Sequence, residues 1–170
     1  MGHVVVTRHL AATPAELWSI VIDPRTWGDW FTVHDRWLNR LPASLAEGTG
    51  LAAKVVLLGV ANRMAWTVES VVAPTSLVLV GTGPARLAAR WVFAMGPAET
   101  GSWFTFAGDL EGTLVRGALV KAVERDCAKQ VEMSLTLLEA LAAPPRTGAP
   151  KVTESVRPRL RLVHSAASAD

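Results

Sequence analysis

The sequence predicts an α+β domain with helices on one side of a curved antiparallel sheet, and three observations point to it. One stretch, residues 113–142, carries a sustained 3.6-residue apolar period. Between residues 50 and 111 the period falls to 2, as in half-buried strands. The patterns follow one another as strand, two helices, a run of strands and then the long helix, which groups helices apart from strands.

Taken in order, residues 3–10 read as a strand. A helix over 11–22 follows, because Thr13-Pro14-Ala15-Glu16 combines a capping-box spacing with proline at the first helical position. Leu17, Trp18, Val21 and Ile22 form its apolar side, and Asp23-Pro24 stops it. Residues 24–37, PRTWGDWFTVHDRW, predict a second short helix and a turn into a strand. The cluster Trp27, Trp30, Phe31 and Trp37 fits either a packing plug between helix and sheet or the rim of a cavity.

Alternation defines the strands beyond. Leu51, Ala53, Val55 and Leu57 alternate with Lys54; Met64, Trp66 and Val68 with Arg63, Thr67 and Glu69; Leu87, Ala89, Trp91, Phe93 and Met95 with Arg86 and Arg90. Two more strands fall at 76–80 and 103–110, the latter turning Phe104, Phe106 and Leu110 one way and Trp103, Thr105 and Asp109 the other. Gly59, Pro74, Gly83-Pro84, Gly96-Pro97 and Gly101 punctuate them at hairpin intervals, so neighbours should pair antiparallel. In the final helix Leu119, Val123, Cys127, Val131, Ser134 or Leu135, Leu138 and Leu141 make the apolar stripe, opposite Lys121, Glu124, Arg125, Lys129 and Glu132. Thr113 after Gly112 is the expected N-cap, and Pro144-Pro145 forbids continuation. A one-stripe helix is stable only against a large apolar surface, so it must lie across the sheet. Residues 143–170, rich in proline and small residues with a basic strip at 157–161, are expected to form a disordered basic tail behind a single domain over 1–142.

Charge and composition narrow the function. Residues 1–142 hold 12 Lys and Arg against 13 Asp and Glu, while 143–170 hold 5 against 2, so the basic pI belongs to the tail. A near-neutral folded part argues against nucleic acid as a partner, which needs clustered cations. Cys127, the only cysteine, sits on the helix stripe and excludes an intrachain disulfide. No window reaches the length of an apolar membrane span, and residues 1–10 lack a signal-peptide core, so a cytoplasmic location is expected.

Catalytic motifs are thin. There is no serine elbow, HExxH pair, phosphate-binding loop or dinucleotide fingerprint, and the four histidines, at 3, 9, 34 and 164, lack ligand spacing, so no metal or cofactor is expected. The glycines at 48, 50, 81 and 83 fit tight turns. His34-Asp35 is the only adjacent pair of acid/base character, but neighbours on a strand face opposite ways and read as surface polar residues. Arg8 falls by alternation with Val4, Val6 and Leu10 on the face that should be buried. It must pair with a carboxylate, reach solvent at a sheet edge, or meet an anionic or carbonyl ligand. Met64, Trp66, Trp91, Phe93, Phe104 and Phe106 lie on the apolar side of the sheet, where they make either a simple core or the lining of a gap beneath the helix.

The stretch VTRHLAATPAELWSIVIDPRTWGDW resembles the opening of the SRPBCC superfamily, the START-like helix-grip domains that include polyketide cyclase/dehydrase and lipid-transport proteins. WFTVHDRW, LPASLAEGTGL, GVANRMAWTVESVVAP and GTG are similar to an actinobacterial subgroup known as toxins of type II toxin-antitoxin pairs. The resemblance spans about residues 4–141. It implies a seven-stranded antiparallel sheet gripping the C-terminal helix, two short helices between strands 1 and 2, and a hydrophobic cavity between helix and sheet. The expected function is then binding of a lipid- or polyketide-like molecule without a catalytic residue. Met64, Trp66, Trp91, Phe93, Phe104 and Phe106 with Leu119, Val123 and Val131 should form the wall, and Trp27, Trp30 and Phe31 the mouth. Two alternatives follow from the resemblance: a toxin acting through a protein partner and countered by an antitoxin, and a polyketide cyclase/dehydrase with Arg8 or His34 as its polar cavity group.

Overall fold

The computed structural model describes residues 1–113 and 115–144; the tail expected over 143–170 lies almost wholly outside the described residues. The elements are β1 (Gly2–Leu10), α1 (Pro14–Val21), a 3₁₀ turn (Pro24–Thr26), α2 (Trp27–Trp30), β2 (His34–Trp37), β3 (Gly50–Leu57), β4 (Val60–Val72), β5 (Ser76–Thr82), a second 3₁₀ turn (Pro84–Arg86), β6 (Ala88–Pro97), β7 (Ser102–Glu111) and α3 (Ala118–Ala142). The strands form one seven-stranded sheet in the order β1-β7-β6-β5-β4-β3-β2, and every neighbouring pair is antiparallel. This is the helix-grip arrangement: a curled half-barrel with the short helices between β1 and β2 and α3 laid over its inner face.

Local chemistry explains most boundaries. The predicted capping box of α1 is complete: Thr13 Oγ1 accepts from the Glu16 N–H and Glu16 Oε2 from the Thr13 N–H. Asp23 then caps the 3₁₀ turn through the Arg25 N–H and grips the guanidinium, which holds the Asp23 carboxyl below its usual range.

The start of α3 differs from expectation. Thr113 is no N-cap: its N–H and hydroxyl both donate to the Ala85 carbonyl, tying the chain to the β5–β6 connection. Gly112, at φ 149°, runs so close over Leu87 that an added Cβ would stand 3.0 Å from the Leu87 Cα. The chain must clear the end of the sheet before it can coil, so the helix begins at Ala118 behind Gly117 with no side-chain cap. Its stripe buries Val123, Cys127, Val131, Ser134, Leu135 and Leu138, while Leu119 and Leu141, assigned to that stripe, are 51% and 44% exposed. Ser134 takes its buried place by accepting from the Thr32 N–H and donating to the Gln130 carbonyl.

The helix meets the sheet chiefly along β1 and more lightly at β3. Side chains span the space between. Trp27, Trp30 and Phe31 of the α2 segment pack edge-to-face on Phe93, and Phe31 also meets Trp91 and Phe106, at centroid distances of 5.2–6.1 Å. Trp66 and Trp91 stack at 4.0 Å. Their layer depends on glycine: a Cβ on Gly81 would lie 2.4 Å from the Trp66 ring, and one on Gly108 2.9 Å from the Phe106 ring.

Candidate ligand-binding site

Below the late start of α3 the sheet and helix do not close. A hollow of about 240 Å³ remains, lined by Leu57, Leu58, Val60, Asn62, Leu87, Val115, Leu119 and Val123. Three segments build it: the β3–β4 hairpin tip, the β5–β6 connection and the chain entering α3. In the hairpin tip Leu58 (φ 51°) and Gly59 (φ 74°) both take positive φ between the paired Leu57 and Val60, the geometry of a tight two-residue hairpin turn. A left-handed leucine costs energy, which a tether to α3 offsets. Asp126 Oδ2 accepts from the Leu58 N–H at 2.8 Å and from Gln130 Nε2 at 2.8 Å, and Gln130 Nε2 also donates to the Val56 carbonyl at 3.2 Å.

Seven of the eight lining residues are aliphatic; Asn62 is the exception. It stands on the inward face of β4 and is 8% exposed, with Nδ2 donating to the Val60 carbonyl at 2.9 Å. Among the described residues no titratable side chain lines the hollow. A larger depression, about 540 Å³, lies on the outer face over Ala65, Thr82 and Ala88 and is bordered by Arg90, Asp109 and Glu111. It is a shallow, more open surface, whereas the smaller hollow is the more enclosed and more apolar one.

Of the wall residues expected from the sequence, Leu119 and Val123 line the hollow. Met64 and Trp66 are the next inward residues of β4 beyond Asn62 and lie buried below it, with Trp91 stacked on Trp66. Phe93, Phe104, Phe106 and Val131 are packed deeper. Trp27, Trp30 and Phe31 are each 1% exposed in the interior, so they plug the far end of the half-barrel and are not a mouth. Among the described residues Trp30 Nε1 is buried without a hydrogen-bond partner, whereas Trp27 and Trp37 donate to the Val21 and Pro24 carbonyls.

The two polar candidates lie elsewhere. Arg8 is on the inward face of β1, an edge strand, and its guanidinium donates to Thr136 Oγ1 at 2.7 Å and the Glu132 carbonyl at 3.3 Å, with Glu139 3.5 Å away. His34 is not a surface residue: it is 6% exposed, 4.4 Å from Trp37 and 6.2 Å from Trp27 by ring centroids. A register shift between His34 and Arg36 leaves both Asp35 and Arg36 exposed and lets His34 and Trp37 turn inward together, and burial pushes the imidazole pKa down to about 4. Sequence reasoning missed Leu57, Leu58, Val60, Asn62, Leu87 and Val115. The signal for Asn62 was present, as an amide interrupting the apolar alternation that runs on through Met64, Trp66 and Val68.

An apolar hollow between a helix and a curled antiparallel sheet defines a class, and the chain belongs to it: the model of the family described as polyketide cyclase/dehydrase and lipid transport matches residues 1–142. Within reach by sequence are Mycobacterium tuberculosis proteins. One named Toxin Rv0910 is 28% identical over 122 residues, covering 72% of this chain and 85% of the relative. The uncharacterised Rv1546 is 26% identical over 135 residues, covering 79% and 94%. A START superfamily protein from Mycobacterium smegmatis superposes with a TM-score of 0.67 at 17% identity, over 84% of this chain and 97% of that one. That last likeness is one of fold. No described helix is long and apolar enough to cross a membrane.

Proposed function

We propose that this chain binds a hydrophobic small molecule in the hollow between the sheet and the first turns of α3. The carrying observation is the hollow itself, walled by seven aliphatic side chains and one amide. It is smaller than the ~300–1,000 Å³ of drug-sized sites, so the guest is short or inserts only in part. Hiding about 400 Å² of apolar surface from guest and wall together gains roughly 10 kcal/mol before association costs, which supports micromolar to millimolar affinity. Native mass spectrometry after mild purification, with titration of tryptophan fluorescence by aliphatic, sterol and flavonoid-like probes, tests the reading. A guest-free protein whose emission none of these alters would overturn it.

A second reading, a toxin acting through a protein partner, is favoured by the name of the relative Rv0910. Growth arrest on expression, relieved by an adjacent gene product, supports it; indifferent growth counts against it. A cyclase or dehydrase would need Arg8 or His34 at the guest. The contacts of Arg8 with Thr136, Glu132 and Glu139, and of His34 with two indoles, favour binding over turnover.

A further inference from the structure

We infer that the hollow selects a neutral guest that donates a hydrogen bond, an alcohol rather than a carboxylate, and that Asn62 is the residue that makes the selection. The inference rests on the binding role proposed for the hollow and specifies its ligand. Three observations carry it.

The first is the amide. The bond from Asn62 Nδ2 to the Val60 carbonyl fixes which end of the side chain faces the backbone, and among the described residues Oδ1 accepts no hydrogen bond. The lining therefore offers one side-chain acceptor and otherwise aliphatic surface. Oδ1 is not sealed from solvent, so a guest hydroxyl replaces water on that acceptor, whereas an ether of the same size that covers it removes the water and returns no hydrogen bond.

The second is that, among the described residues, no cation stands in the lining. A carboxylate brought into such a place loses its hydration and gains no opposite charge. The third is the charge on the hairpin side of the rim: Asp126 accepts from the N–H of Leu58, itself a lining residue, so an anion entering past the hairpin tip meets a carboxylate. Arg86 and Arg116 line a separate, more polar depression across Val115. A carboxylate that binds this protein is expected there and not in the hollow.

The experiment uses the full chain and three probes with eight carbons: 1-octanol, its isomer 1-methoxyheptane and, at pH 8, octanoate. Binding is read from tryptophan emission, since Trp66 and Trp91 lie beneath the hollow, and from native mass spectrometry. Octanol should bind about five-fold or more tighter than the ether, the worth of one neutral hydrogen bond, and tighter still than octanoate. In Asn62→Leu, checked for native circular dichroism, the preference for alcohol over ether should vanish. Asp126→Asn, which keeps an acceptor for the Leu58 N–H, should raise the ratio of octanoate to octanol binding several-fold, so a failure of Asn62→Leu to fold still leaves a variant whose failure overturns the inference. Octanoate binding as tightly as octanol, an unchanged alcohol-to-ether ratio in Asn62→Leu, or indifference of the octanoate-to-octanol ratio to Asp126→Asn overturns the inference while leaving the binding role intact. If no probe binds, the binding role falls and this inference with it.

Discussion

An imidazole held between two indoles makes low pH the weak side of this molecule. Burial lowers the pKa of His34 from 6.5 to about 4, against a smaller opposing pull from the Asp35 charge. The unfolded chain takes up the proton first, so the stability tied to this group is complete above pH 6.5 and is lost as pH falls from 6.5 toward 4. The loss is roughly 2 to 3 kcal/mol at pH 4.5. Denaturant melts at pH 7.5 and 4.5 should show His34→Phe with a correspondingly flatter dependence than the parent; equal slopes would contradict the burial argument. Cys127 tests the opposite shift, since burial pushes its thiol up to about 12. It should resist thiol reagents until the protein unfolds, and rapid labelling of the native state would show that α3 opens. Gly81→Ala places a methyl against the Trp66 ring and should cost about 1–3 kcal/mol, with a shifted emission maximum. Residue identity alone did not disclose these roles. The pair His34-Asp35 reads as surface because two adjacent polar residues give no local sign of which one turns inward, and nothing local marks Gly81, which reads as a turn residue, as the seat of the Trp66 indole opposite it on β4.

At the scale of elements, side chains clamp α3 near its C-terminus and along its middle. Glu139 accepts from the Ala11 N–H at 2.9 Å and lies 3.5 Å from Arg8, while Asp126 and Gln130 hold the hairpin tip. Because the Arg8–Glu139 pair is about one-third exposed, the ionic part is modest. Glu139→Ala should cost about 1 kcal/mol, mostly from the orphaned Ala11 N–H, and Glu139→Gln should recover most of it in thermal melts. The stripe of α3 was legible because six buried positions repeat at helical spacing. Its first turn was not. Thr113 follows a glycine and has the right chemistry for a cap, but Gly112 crossing the end of the sheet and the bonds to Ala85 are tertiary facts, and they delay the helix to Ala118. The hollow exists because of that delay, which is why only Leu119 and Val123 of its lining were identified from the pattern.

On the scale of the whole molecule, alternation and helical period were enough for the class of fold, since each strand shows its inward face and the turns carry their own punctuation. How far the interior closes was not readable, because it depends on whether rings from α2 reach those of the sheet. They do, and among the described residues the plug of Trp27, Trp30 and Phe31 fills the far end while the hollow remains at the end beneath the start of α3. The family match over residues 1–142 leads us to propose that this span folds by itself. Removal of 143–170 should leave the melting temperature within about 2 °C and turn the net charge from +2 to −1, readable as a change of retention on anion exchange. The sheet also has two rims that bear on how copies meet. One, β1, is flanked by α3, which takes up the His3 and Ala11 N–H groups through Glu124 and Glu139. The other, β2, is four residues long and turns the charged Asp35 and Arg36 to solvent. The short, charged β2 rim offers no long, flat ladder to a stranger's backbone, and α3 holds the two ends of the β1 rim, which limits strand-upon-strand stacking by a chain that is half hydrophobic by composition.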